Sequence, residues 1–152
     1  MKLRDFLLGR PMQVVGFGVL VWAIPLVVSL LLSDVREHNR LLFKTIMPVV
    51  LTAVVCVFGV LGFGRVRSGF VREGLNMGLT WMLMGVGLDM GLFWEGPMSM
   101  PMAQYFTEIG PAYLIHPIIL LAMGGALQNR FDALLKSINE ATIRGLQQRP
   151  SD

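Results

Sequence analysis

Residues 74–94 read GLNMGLTWMLMGVGLDMGLFW, a run of 21 with one formal charge, Asp89. Soluble domains carry about 25% charged residues, so a stretch this long with so few charges is not a solvated surface helix. At 1.5 Å per residue, about 20 residues of helix cover the ~30 Å hydrocarbon layer of a bilayer. Three more runs of the same kind, 11–32, 45–64 and 109–129, hold no formal charge. Together the four runs make up 84 of the 152 residues and carry one charge, while the remaining 68 carry 22. A soluble core does not sort its charges in this way. Unbroken apolar runs of this length close their backbone hydrogen bonds internally, whereas barrel strands alternate over about 10 residues. The expected fold is therefore all-α, a four-helix transmembrane bundle occupying residues 1–128, followed by a tail, 129–152.

Orientation follows from the basic residues. Lys2, Arg4 and Arg10 precede the first run, Arg65, Arg67 and Arg72 separate the second from the third, and Arg130, Lys136, Arg144 and Arg149 follow the fourth. Only Arg36, Arg40 and Lys44 lie on the other side. The positive-inside rule then puts both termini in the cytoplasm, in a cell inner membrane. The same distribution accounts for the net charge of +3 without nucleic acid as a partner. Lys2 and Arg4 ahead of an apolar run imitate a signal peptide, but the run is too long and no A-x-A site follows it, so it reads as an uncleaved first span. Cys56 is the sole cysteine and sits mid-span, which excludes an intramolecular disulfide and leaves it as a small apolar filler. Of the tryptophans Trp22, Trp81 and Trp94, the last is best placed to anchor a span end.

The tail differs in kind. Phe131, Leu134, Leu135, Ile138, Ala141, Thr142 and Leu146 recur at helical spacing, with Arg130, Asp132, Lys136, Glu140 and Arg144 largely elsewhere. The spacing predicts an amphipathic cytoplasmic helix that lies on the inner leaflet or packs on a partner helix. Phe43-Lys-Thr-Ile46-Met-Pro48 and Phe106-Thr-Glu-Ile109-Gly-Pro111 share the pattern F-x-x-I-x-P at the outer starts of spans 2 and 4. They suggest a parallel repeat of two hairpins about an axis along the membrane normal, with Pro48, Pro111 and Pro117 as helix corners.

The run from Arg72-Glu73-Gly74 through Trp81, Asp89 and Gly96-Pro97-Met98-Ser99-Met100 to Tyr105, Ile109-Gly110, Tyr113-Leu114 and Pro117 resembles a family of small four-span prokaryotic membrane proteins. Trp22-Ala-Ile-Pro25 and Ile46-Met-Pro48-Val49-Val50 fit the same family. The resemblance covers about three quarters of the chain, leaving out the tail; it implies the four-span fold and supplies no activity or ligand. The position four residues after Trp81, polar Asn in relatives, is Gly85 here.

A carboxylate inside a span costs ~2.5–3.5 kcal/mol at mid-bilayer on insertion scales, so Asp89 is expected to have a partner. At 100° per residue, Gly74, Gly78, Gly85 and Asp89 share one face of the helix, and small residues let a neighbouring backbone approach closely. Asp89 is expected to point into a helix–helix contact, where it either binds a proton or cation or serves as an inter-helix hydrogen-bond acceptor. His116, at similar depth in span 4, is its expected partner, able to exchange a proton near neutral pH. Pro117 cannot donate to the carbonyl of Tyr113 and frees an acceptor beside the pair. Asn76, Thr80, Gly87 and Gly91 form a second, mildly polar face. Met98, Met100 and Met102 in the outer loop suit Cu(I) as thioether ligands, although Met is also a flexible filler. Glu73 reads as a helix N-terminal charge, and Glu95 and Glu108 as solvated. Nucleotide loops, Ser/His/Asp sets and paired intramembrane carboxylates are absent from the sequence, so neither an enzyme nor a cofactor is expected. The functional expectation is a homo-oligomer, most simply a C2 dimer, that moves or senses a proton, cation or small solute through Asp89 and His116. The alternatives are an accessory subunit of a larger membrane complex and copper handling.

Overall fold

The computed structural model describes residues 10–93 and 101–147. Among them the chain is helical, with short connections and no strand. The order is α1 (Arg10–Leu31), α2 (Ser33–His38), α3 (Arg40–Phe63), α4 (Phe70–Phe93), α5 (Met102–Glu108), a 3₁₀ turn (Gly110–Leu114) and α6 (Ile115–Gln147).

Three stretches are long and apolar enough to cross a membrane: Pro11–Leu31, Arg40–Phe63 and Gly110–Arg144. The stretch expected as a further span became α4, which has the length, 24 residues, without the same apolarity. Arg72, Glu73, Asn76, Thr80 and Asp89 dilute it. It is also the helix most surrounded by protein, packing most extensively against α6 and also against α1.

The four long helices form a ring in which α1 touches α3 and α4, and α6 touches α3 and α4. α1 and α4 run parallel, since Trp81 on α4 bonds to Val14 near the start of α1 and Asp89 bonds to Trp22 further along. A two-fold repeat along the bundle axis would exchange α1 with α4 and so set them across the bundle from each other. They stand side by side instead, and the ring is not the one that the two-hairpin repeat requires.

Two boundaries differ from the sequence reading. Helix α3 begins at Arg40, not near residue 45, because the Asn39 side chain accepts a hydrogen bond from the Leu42 amide (3.1 Å) and caps the helix there. Pro48, expected at a corner, therefore lies inside α3. The second boundary, at 128/129, does not interrupt the helix: α6 continues through it to Gln147, 33 residues in all. Pro111 does open the 3₁₀ turn, and Pro117 stands in the first turn of α6.

The core runs along the bundle through Val21, Leu51, Val55, Met77, Trp81 and Leu120 to Phe63, Val66 and Phe70. At the α3–α4 connection, Gly69 takes φ +67°, a conformation glycine adopts without strain. Just beyond it, the Phe70 amide donates to Gln128 Oε1 (3.1 Å), and the Phe70 ring lies between those of Phe63 and Phe131. This end of the bundle is closed.

Candidate functional site

At the opposite end, Asp89 is 5% exposed and accepts three hydrogen bonds from three different elements. Trp22 Nε1 on α1 donates to Oδ1 (2.8 Å). The hydroxyls of Tyr113, on the 3₁₀ turn, and Tyr105, on α5, donate to Oδ2 at 2.6 and 3.1 Å. The chain has two tyrosines, and both give their phenol to this one carboxylate. All three donors are neutral, and no ion pair among the described residues involves Asp89.

Local sequence explains how the donors reach it. Tyr113 approaches α4 closely because position 85 is glycine; a Cβ there would stand 2.4 Å from Tyr113 Cε1. An asparagine side chain at position 85 would fill that slot. Gly74 and Gly78 perform the same service further along, since Cβ atoms there would meet the Leu120 carbonyl oxygen at 2.2 Å and Pro117 Cα at 2.5 Å. The Gly74–Gly78–Gly85–Asp89 face is thus the one applied to α6 and the turn before it. Tyr105 is fully buried under α5; that burial, followed by the nearby Asp89 carboxylate, raises its phenol well above the ordinary value.

His116 is also buried, at 1% exposure, but it is not hydrogen bonded to Asp89. Pro117 has no amide hydrogen for the Tyr113 carbonyl, and His116 Nδ1 donates to that oxygen at 2.9 Å. A carbonyl only accepts, so the proton sits on Nδ1. The imidazole stacks on the Tyr113 ring with centroids 5.4 Å apart and planes 12° apart. The expected direct Asp–His pair is replaced by a bridge, with Tyr113 touching Asp89 through its hydroxyl and His116 through its ring face.

Asp89 and Tyr113 line a cavity of about 1110 Å³ between α1, α3 and the α5–3₁₀ segment. Val21, Trp22, Pro25 and Leu26 form one wall and Phe43, Met47, Pro48 and Leu51 the other. Arg36, Glu37, Arg40, Lys44 and Glu108 stand at its exposed rim. Arg40 Nη2 donates to both carboxylate oxygens of Glu108 (2.7 and 2.9 Å), and Lys44 Nζ lies 3.7 Å away. The hydrogen bond from Arg40 holds the Glu108 carboxyl below its ordinary range. This tie, together with Tyr105–Asp89, fastens α5 across the cavity. Glu108, expected to be merely solvated, has this positional role.

Met102 starts α5, while Met98, Met100, Glu95 and Trp94 lie outside the described residues. Among the described residues no group of three or more His, Cys, Asp and Glu side chains is arranged to hold a metal ion. Trp22 and Trp81, read from sequence as possible interfacial anchors, are cross-links between α1 and α4. Trp22, Tyr105 and Tyr113 were not recognised from sequence as partners of Asp89. A usable signal was present: a buried carboxylate needs donors, and a chain this apolar offers few besides its Tyr and Trp side chains.

No family model matches the chain, and no curated protein or solved structure matches it. The chemistry of the site rests on its own geometry.

Proposed function

We propose that the chain is a four-span protein of the inner membrane, with both termini cytoplasmic, α4 as the span between Arg40–Phe63 and Gly110–Arg144, and the cavity facing the outer leaflet. In this reading Asp89 takes up and releases a proton or small cation, and a homo-oligomer of such chains, most simply a dimer, transports or senses it. One observation carries the reading: a carboxylate with three neutral donors, and no cationic partner among the described residues, lines a cavity within an apolar bundle. Intramembrane carboxylates of this kind are costly, and they mark ion or proton sites. The second titratable group, His116, is coupled to Asp89 through Tyr113 and contributes the pH response.

Asp89→Asn in proteoliposomes is the test. The wild type is expected to show pH-dependent tryptophan fluorescence, because Trp22 reports on Asp89, along with flux of a proton or monovalent cation. The substitution should abolish both. A variant that folds and keeps its pH response and flux would remove Asp89 from the mechanism.

The alternative, an accessory subunit of a larger membrane complex, draws on a different observation. Beyond Phe131, α6 presents exposed Leu134, Leu135, Ile138 and Ile143 with no partner helix among the described residues. Native mass after mild solubilisation separates the two readings. A multiple of the chain's own mass supports the homo-oligomer, and stoichiometric larger partners support the subunit.

A further inference from the structure

Accepting Asp89 as a cation site, the rest of the cavity restricts what the cation can be. A bare metal ion needs several oxygen ligands, about 6–8 for calcium and six for magnesium, whereas the walls beside Asp89 are mostly aliphatic and aromatic. At about 1110 Å³ the cavity lies just above the ~300–1,000 Å³ typical of small-molecule sites, much more than an inorganic ion fills.

The charges agree. Asp89 is the one buried charge on the lining; the other five charged residues are exposed at the rim. The rim carries three cations and two anions, with Arg40 and Lys44 paired to Glu108 and Arg36 and Glu37 of opposite sign. A carboxylate has about four acceptor positions. Trp22, Tyr105 and Tyr113 occupy three, leaving one on Oδ1 for a single further N–H. Trp22 and Phe43 also line the cavity, and aromatic side chains attract an ammonium group.

We infer that the cavity binds a monocationic organic amine, its ammonium donating to the open position of Asp89 Oδ1 and its apolar body lying between α1 and α3. This deepens the cation reading above and fails separately from it.

The experiment uses the full chain in nanodiscs, with phenethylammonium as probe and phenethyl alcohol as its neutral isostere, followed by calorimetry and tryptophan fluorescence. The amine is expected to bind saturably, one per chain, and the alcohol at least tenfold more weakly. Asp89→Asn should weaken amine binding at least tenfold. Met47→Phe, which narrows the cavity away from Asp89, should also weaken amine binding at least tenfold. Equal binding of amine and alcohol, or no saturable binding at millimolar amine, overturns the inference. So does amine binding unaffected by both substitutions. If an anionic amphiphile such as dodecyl phosphate displaces the amine and Arg36→Ala abolishes its binding, the cavity belongs to acidic lipid and the inference is wrong. A wild type whose fluorescence responds to pH without binding amine defeats this inference alone; loss of both signals defeats the cation reading too.

Discussion

At the Gly69 end of the bundle the helices meet backbone to backbone. Cβ atoms at Gly74 and Gly124 would come within 2.2 and 2.5 Å of the carbonyl oxygens of Leu120 and Phe70, and three phenylalanine rings close the gap between connection and helix. At the Asp89 end α1 and α3 stand apart around a cavity, and a polar cluster takes the place of apolar packing. Proline marks the difference: Pro25 and Pro48, each inside a helix, both line the cavity, where a missing amide donor and a bulky ring oppose close approach.

The contrast can be broken most severely at its boundary. Gly78→Leu forces a side chain into Pro117 and the His116 carbonyl. We expect a loss of about 3 kcal/mol or more, the upper range for overpacking, read as a lowered melting temperature in detergent. A variant as stable as wild type would mean that α4 and α6 do not meet as described. Next is Tyr113→Phe, which removes one donor from Asp89 and should cost about 2 kcal/mol as a hydrogen bond to a buried polar group. Phe131→Leu at the closed end replaces one apolar group by another and should cost less. If the order is reversed, the polar cluster is not what holds the open end together.

The smallest effect concerns the rim. Hydrogen bonding to Arg40 lowers the Glu108 carboxyl in the folded chain. Its stabilisation is therefore complete above the ordinary carboxylate value, about 4.3, and is lost as the pH falls through the lowered one. Melting curves of wild type and Arg40→Ala should differ slightly at neutral pH and converge in acid. A difference independent of pH would assign Arg40 another role.

The helical, membrane-compatible character of the chain was legible because the bilayer as solvent imposes a composition on every lipid-facing residue, and Asp89 stood out for the same reason. The polarity that made Asp89 legible also keeps α4 outside the most apolar helices. The start of α3 was obscured because the helix continues beyond the apolar run to a capping asparagine. The partners of Asp89 were hidden by distance along the chain: they lie 16, 24 and 67 residues away, and no local periodicity encodes such pairings. Gly85 was the subtlest case. The glycine carries no chemistry of its own, yet it makes room for Tyr113 to donate to Asp89.

The unbroken passage of α6 through residue 129 has a mechanical consequence. Residues 129–147 continue α6 without interruption, a helical extension about 28 Å long. Pro117 and the ring cluster around Tyr113 sit at the other end of that same rod. A tilt of about 5° at the bundle would carry the far tip by roughly 2 Å. A partner that gripped Leu134, Leu135 and Ile138 would hold the long arm of a lever whose short arm rests on the Asp89 cluster.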